Sequence, residues 1–227
     1  MSEDVKGSYG GCPLPDMPER EIITLAHGSG GRRMHELIGS LFAPLFWRGE
    51  ERHRKDGAVV DAADGRLTFT TDAYVVRPLF FPGGDIGVLA VNGTVNDLAV
   101  CGAQARYLSA AFILEEGVPV ETVRRVAASM SVAAREAGVE IVTGDTKVVE
   151  RGKGDNLYII TAGVGVVPEG REEPGPEKVE LGDRLIVTGD LGRHGVAVMT
   201  AREGFEFDTK VTSDCAHLNW MVEDSYR

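Results

Sequence analysis

The chain has 227 residues, 43% of them apolar, and a formal net charge of −11 from 24 Lys and Arg against 35 Asp and Glu. That length supports one large domain or two small ones around a buried core, and the apolar fraction excludes wholesale disorder. The acidic balance argues against non-specific binding to nucleic acid or an anionic membrane surface, so a phosphate-bearing ligand has to be met by backbone N–H groups, metal ions or a few placed cations.

Residues 1–20 hold Gly7, Gly10, Gly11, Pro13, Pro15 and Pro18 and read as a mobile leader. The start, Met1-Ser2-Glu3-Asp4, is acidic with no apolar segment behind it, which argues against a signal peptide. No apolar run reaches the ~18–20 residues of a membrane span. Residues 21–25 read as a short strand. They run into His27-Gly28-Ser29-Gly30-Gly31 and a helix with Met34, Leu37, Ile38, Leu41 and Phe42 on one face. Residues 48–57 form a mixed charge run, expected as a solvated loop. Residues 67–71 alternate like a strand and end at Asp72.

Residues 86–101 read as a helix that carries Asn96 and Asp97 near its end, followed by an apolar strand at 106–114. The span 120–137 places Val123, Val126, Ala127, Met130 and Ala134 on one helical face and is closed by Gly138. A short strand at 139–142 leads into a turn at Gly144-Asp145-Thr146-Lys147, and 157–167 is a long strand. Residues 168–182, rich in Pro, Gly and Glu, read as a linker. Beyond it come a strand at 184–187, a turn at Gly189-Asp190-Leu191-Gly192, a helix at 196–203 and a helical end at 218–226. The organisation expected is a leader (1–20), an N-terminal domain (21–167), a linker (168–182) and the start of a second domain (183–227), which is shorter than the ~50–200 residues of an independent unit.

Cys12, Cys101 and Cys215 are odd in number and far apart, with no C-x-x-C pair. That excludes a disulfide framework or zinc knuckle and suits a reducing cytoplasm; Cys101 reads as a small buried hydrophobe. Three acidic positions, Asp72, Asp97 and Asp145, fall where an expected element meets a turn. Carboxylates at such places either cap and turn the chain or converge on a hard cation such as Mg²⁺, which takes a few carboxylates along with phosphate oxygens and water. Gly28-Ser29-Gly30-Gly31 offers unhindered N–H groups ahead of a helix, an anion-binding arrangement as well as a hinge. It is neither a P-loop nor a dinucleotide fingerprint, since no G-x-x-x-x-G-K-[ST] occurs and Arg33 stands at the third glycine position. No G-x-S-x-G elbow and no H-E-x-x-H pair occurs, which argues against a serine hydrolase and a zinc protease. Lys147, two residues after Asp145, is placed to meet a phosphate as a point charge or simply to lie exposed in a turn.

Five stretches stand in order along the chain: His27-Gly28-Ser29-Gly30-Gly31-Arg32, Thr71-Asp72-Ala73-Tyr74-Val75-Val76, Asn92-Gly93-Thr94-Val95-Asn96-Asp97-Leu98-Ala99, Gly144-Asp145-Thr146-Lys147-Val148-Val149 and Thr188-Gly189-Asp190-Leu191-Gly192-Arg193-His194-Gly195. Taken together, they resemble the HypE family of hydrogenase maturation proteins. That family is similar to aminoimidazole ribonucleotide synthetase, selenophosphate synthetase and thiamine-monophosphate kinase. The resemblance implies a PurM-like α/β (α+β) fold of two domains, with a mixed-sheet N-terminal domain that forms a homodimer and holds ATP in a cleft near the dimer interface. It implies ATP-dependent dehydration of a carbamoyl group, delivered by the carbamoyltransferase HypF onto a C-terminal cysteine, to a thiocyanate whose cyanide passes on through the HypC–HypD complex.

By the same motifs, Asp72, Asp97 and Asp145 are expected to hold Mg²⁺. Gly28, Ser29, Gly30, Gly31, Asn96, Asp97, Thr146 and Lys147 are expected to bind the nucleotide, with Lys147 and Asp145 acting in catalysis. Cys215 does not stand where the family's acceptor cysteine stands, so the expectation is a chain without that acceptor, able to pair and bind nucleotide but not to complete the reaction. The alternatives are another ATP-dependent kinase or synthetase of the same group, or a scaffold without chemistry.

Overall fold

The computed structural model describes residues 21–46, 65–172, 174–203 and 211–226. The expected leader, with Cys12, and the charge run at 48–57 lie outside them. The N-terminal stretch opens with Ile22 in a single bridge to Pro119 and a 3₁₀ turn at Leu25–Gly28, rather than the short strand expected there. A helical run follows as α1 (Arg32–Leu37), a π turn (Ile38–Phe42) and α2 (Ala43–Phe46).

The body of the protein is β1 (Arg66–Tyr74), a small hairpin of β2 (Phe80–Phe81) and β3 (Gly84–Asp85), α3 (Ile86–Val100), β4 (Gln104–Glu115), α4 (Val120–Ala137), β5 (Glu140–Val149) and β6 (Leu157–Val167). Strands pair in the order β1-β6-β4-β5. The β4–β5 pair is parallel, joined through α4, and the other two pairs are antiparallel, so the sheet is mixed.

Two helices cover one face of this sheet for reasons visible in their residues. In α3 most positions are aliphatic or glycine, as befits a helix enclosed between a sheet and a second helix. Its N-terminus is capped by Asp85, whose Oδ1 accepts the N–H groups of Gly87 at 2.7 Å and Val88 at 3.1 Å. By contrast α4 is amphipathic: Val123, Val126, Ala127, Met130 and Ala134 are buried. It ends on Gly138 at φ 75°, with the Val139 N–H returning to the Ala134 carbonyl at 2.9 Å.

Alternation along the strands then separates two faces. Leu157, Ile159 and Thr161 of β6 and Leu108, Ala110, Phe112 and Leu114 of β4 are buried beneath the helices. Between them, Tyr158, Ile160, Val164, Tyr107 and Ile113 look out from the other face and are only half-buried.

Three expectations are corrected. The strand expected at 139–142 does not stop at Gly144. It continues to Val149, because β4 goes on pairing alongside it, with Ala111 against Asp145 and Ile113 against Lys147. Ladder pairing overrides the turn preference of Gly-Asp. The strand expected at 184–187 forms no regular element and pairs with no strand among the described residues, and Leu185 and Ile186 are 96% and 89% exposed. Cys101 is half-buried as the C-cap of α3 rather than a core residue.

The C-terminal part adds α5 (Arg193–Glu203) and α6 (Asn219–Ser225). Arg171, in the stretch expected as a linker, forks onto Glu223 of α6 at 2.7 and 2.9 Å, donates to the Gly102 carbonyl at 3.1 Å and lies over the Tyr226 ring. That fork fastens α6 to the turn between α3 and β4.

Candidate functional site

The ten residues singled out in the sequence fall into two groups at opposite edges of the sheet. The acidic group is built by β1 and α3. Asp72 lies in β1 two residues before Tyr74, hence on the helix-covered face, where its charge acts on Asp97, which lies in α3 one turn short of its end. Neither sits at an element boundary, as expected from sequence; both are carried by regular structure, which fixes them more rigidly than a turn would.

Thr70, on the same face of β1, donates its hydroxyl to Asp97 Oδ2 at 3.5 Å. The Asp97 carboxyl is raised above the usual carboxylate range, first by burial and then by the negative charge of Asp72. Two like charges held together in this way form a donor set that a hard cation relieves. Mg²⁺ is commonly held by one or two carboxylates, with phosphate and water completing its shell. Among the described residues no group of three or more His, Cys, Asp or Glu side chains stands ready to hold a metal, so the pair fits Mg²⁺ only as part of a larger set.

Below this pair runs a line of buried hydroxyls. The Tyr74 hydroxyl lies 3.2 Å from Thr94 Oγ1. Thr94 in turn lies 2.5 Å from Thr161 Oγ1, which donates to the Ala90 carbonyl at 3.3 Å. Burial raises the Tyr74 phenol well above its ordinary value. The sequence reading missed this line. The signal available was the spacing Asp72-Ala73-Tyr74, which puts both side chains on one face of a strand.

Asn96, expected beside Asp97 in nucleotide binding, points elsewhere. Its amide donates to the Ala216 carbonyl at 3.0 Å and accepts the Leu218 N–H at 2.7 Å, so it holds the segment ahead of α6 against α3. Neighbouring positions on a helix face about 100° apart, and this pair divides accordingly.

The second group lies at the β5 edge. Gly28 rests against it so closely that a β-carbon would overlap the Val148 amide. Ser29 spends its hydroxyl on the Ala26 carbonyl at 3.0 Å, and Gly30 and Gly31 are exposed, Gly31 as the N-cap of α1. Thr24 donates its backbone N–H to His27 Nδ1 at 3.0 Å, which leaves the His27 proton on Nε2, facing Glu21.

Asp145 and Lys147 pair at 3.1 Å and are both exposed, while Thr146 between them is buried. Alternation therefore turns Asp145 and Lys147 to the uncovered face of the sheet. A hollow behind Thr146, lined by Met34, Ile38, Phe42 and Phe112, measures about 50 Å³, too small for a nucleoside.

Within one chain the two groups do not meet. Asp72 pairs with Thr161, which pairs with Ala110, which pairs with Gly144, so three inter-strand steps of about 4.8 Å, roughly 14 Å in all, separate Asp72 from β5. Asp145 also faces the other way. Of the three aspartates expected to gather, Asp72 acts by its charge on Asp97, and Asp145 lies apart on β5.

Comparison with known proteins sets this geometry among relatives. The family described as AIR synthase related protein, N-terminal domain, matches residues 54–167. The carbamoyl dehydratase HypE of Bradyrhizobium diazoefficiens is 53% identical over 200 residues, covering 88% of this chain and 58% of that protein. A crystal structure of hydrogenase maturation protein HypE in complex with ATP superposes with a TM-score of 0.83 at 48% identity, over 88% of this chain and 59% of the other. A HypE–HypF complex superposes with a TM-score of 0.68 at 47% identity, over 85% of this chain and 61% of the other. The chain thus spans about three fifths of the length of the relatives it matches. Among the described residues no helix is long and apolar enough to cross a membrane.

Proposed function

Because the chain belongs to the AIR synthase related family and shares about half its residues with HypE proteins over the matched span, we propose that it serves the ATP-dependent dehydration of a carbamoyl group in [NiFe] hydrogenase maturation, in the cytoplasm. The observation that carries the proposal is the division of the site. An acidic group at the β1 edge and a glycine-and-lysine group at the β5 edge are each half of a nucleotide site. Two copies that set the β1 edge of one beside the β5 edge of the other would join the halves. The uncovered sheet face presents Leu67 and Phe69, 63% and 70% exposed, an apolar surface suited to a second copy.

In the joined site Asp72 and Asp97 of one copy would hold Mg²⁺ together with Asp145 of the other. Magnesium, when bound, neutralises the nucleotide's phosphate charge. The exposed N–H groups of Gly30 and Gly31 receive a phosphate, and Lys147, released from Asp145, meets the charge that develops as the phosphoryl group leaves ATP. The chemistry this serves begins with an amide oxygen, which is a poor leaving group. Transfer of the γ-phosphoryl to that oxygen makes it a phosphate; loss of the N–H protons and departure of phosphate then leave a nitrile on sulfur. A carbamoyltransferase of the HypF kind supplies the carbamoyl group, and a HypC–HypD pair receives the cyanide.

Calorimetric titration of ATP tests the site. Binding is expected to require Mg²⁺, and Asp97→Asn and Asp145→Asn are each expected to weaken it at least tenfold. Mixing the two variants restores about a quarter of the wild-type sites, because half of the dimers are mixed and each of those carries one intact site. No recovery on mixing overturns the shared site. Binding that is indifferent to Mg²⁺ and to both variants leaves a scaffold as the better reading, and turnover of a free small molecule leaves a kinase or synthetase of the same family.

A further inference from the structure

The glycine loop at 28–31 is fastened at both ends, and the two fastenings converge on one carboxylate oxygen. At the near end His27 is buried and fixed. Its Nδ1 accepts the Thr24 N–H at 3.0 Å, which leaves the proton on Nε2, and Nε2 faces Glu21 Oε1 across 3.9 Å. Gly28 then lies flush on the Val148 amide of β5. At the far end Arg33, in the first turn of α1, donates from Nη1 to the same Glu21 oxygen at 3.3 Å. Its other partner, Glu36 at 3.8 Å, rides on α1 with it and so ties the helix to nothing outside itself. Glu21 differs because it belongs to the body of the protein. Its carbonyl accepts the Val120 N–H at 2.8 Å at the start of α4. Ile23, two residues on, is wholly buried; its carbonyl accepts the Gly117 N–H at 2.8 Å and its N–H donates to the Val118 carbonyl at 2.7 Å. Between the two fastenings Gly30 and Gly31 are exposed, and Gly30 sits at φ 79°, a conformation that glycine enters and leaves freely.

Resting on the reading that this loop receives a phosphate, we propose that Glu21 is a positioning residue for the loop. Through Arg33 it holds the far end to the body of the protein, so that the Gly30 and Gly31 N–H groups are presented in one arrangement rather than many. A glycine stretch gives up much conformational freedom when a ligand fixes it, and a tether that removes part of that freedom beforehand leaves less to be lost on binding. Loss of Glu21 frees the far end alone, because Thr24 and Val148 still hold His27 and Gly28. The exposure of the pair sets the size of the effect. The Glu21 side chain is 24% exposed and that of Arg33 54%, so the bond belongs with surface ion pairs, whose strength corresponds to about two- to fivefold in an equilibrium.

The test reads the loop and the ligand separately in the full chain. Nitrogen-15 relaxation gives the order parameter of each backbone amide, and calorimetric titration with ATP and Mg²⁺ gives the affinity. In Glu21→Ala and in Arg33→Met the order parameters of Gly30 and Gly31 are expected to fall while those of His27 and Gly28 stay. ATP is expected to bind about two- to fivefold more weakly to each, with the melting temperature changing by less than about 2 °C. Glu21→Gln, which keeps an oxygen for Arg33, is expected to lie between wild type and Glu21→Ala. The double variant is expected to lose no more affinity than either single one, since both remove the same bond. The proposal is overturned if Gly30 and Gly31 keep their order in both single variants, if the losses in affinity add in the double variant, or if Glu21→Ala lowers the melting temperature and leaves ATP affinity as it was. If the wild-type chain binds no ATP, the nucleotide reading fails, while the order parameters still decide whether Glu21 holds the loop. Arg33→Met, at an exposed position, decides the same question should Glu21→Ala fold poorly.

Discussion

Beneath α3 and α4, Ile159 and Thr161 of β6 are wholly buried; on the adjoining edge strand, facing the opposite way, Phe69 is 70% exposed. The two faces of the sheet are built from similar residues, yet one is closed by the chain itself and the other is left open. On the closed face several polar groups are committed: Tyr74, Thr94 and Thr161 contact one another, and Asp85 caps a helix. On the open face Asp145 and Lys147 are hydrated and pair with each other. The contrast separates two tasks. The closed face supplies the stability that fixes Asp72 and Asp97, and the open face is where the proposed second copy would sit. A mutation should therefore report on folding or on assembly according to the parity of its position along a strand.

The sharpest test of that separation exchanges one aromatic on each face. Phe112, buried and packed on Phe42 with ring centroids 4.8 Å apart, belongs to the closed face. Phe112→Ala is expected to cost about 3–5 kcal/mol of unfolding free energy, measured by chemical denaturation. Phe69→Lys, on the open face, is expected to change the stability of the single copy by no more than about 0.5 kcal/mol while shifting the sedimentation profile from dimer to monomer. The comparison breaks if Phe69→Lys destabilises the fold as much as Phe112→Ala does, or if it leaves the association state as it was.

A smaller effect is expected where the C-terminal segment meets the closed layer. Arg171 is nearly buried and binds Glu223 through two donors, a stronger arrangement than an exposed ion pair and less costly than a fully buried one. Arg171→Ala is expected to loosen α6 by about 1–2 kcal/mol, or roughly tenfold in local opening, with the sheet unaffected. Hydrogen exchange separates the two: amides at 221–225 should lose protection while those of β4 and β6 keep theirs. Equal loss across the sheet would show that the segment is part of the core rather than fastened to it.

The closed face was also the part most legible in the sequence. The spacing of Val123, Val126, Ala127 and Met130 admits only a helix against a core, and Gly138 marks its end. The alternation of β6 and the apolar run of α3 are similarly plain. What escaped was decided by partners distant in sequence. Gly144-Asp145 has the composition of a turn and becomes strand because β4 runs beside it. Residues 184–187 have the composition of a strand and stay single because no described strand lies beside them. The site was legible as a set of residues but not as an arrangement. Motif spacing picks out Asp72, Asp97 and Asp145 equally, whereas strand order and parity place the third across the sheet and on the other face. Asn96 shows the same limit, since its partners Ala216 and Leu218 lie more than a hundred residues away.

The smallest expected effect concerns Asp85, the acidic cap of α3 on the closed face. Its carboxylate accepts the Gly87 and Val88 N–H groups and the Ser129 hydroxyl, which favour the charged form, as does nearby Arg125; burial disfavours it and outweighs them, so its pKa lies above the ordinary carboxylate value. The sign of the consequence follows. At pH values between the unfolded and the raised folded value, the folded chain holds a proton that the unfolded chain has released. Folding there takes up a proton, so stability falls as pH rises through that window. Asp85→Asn keeps the cap, because the amide oxygen accepts the same N–H groups, but it does not titrate. The stability of the wild type relative to Asp85→Asn, from denaturation at a series of pH values, should therefore decline as pH climbs out of the carboxylate range and level off above it. A relative stability that rises with pH would mean that the hydrogen bonds outweigh burial at this cap. The closed face would then carry its buried charges at less cost than its exclusion of water implies.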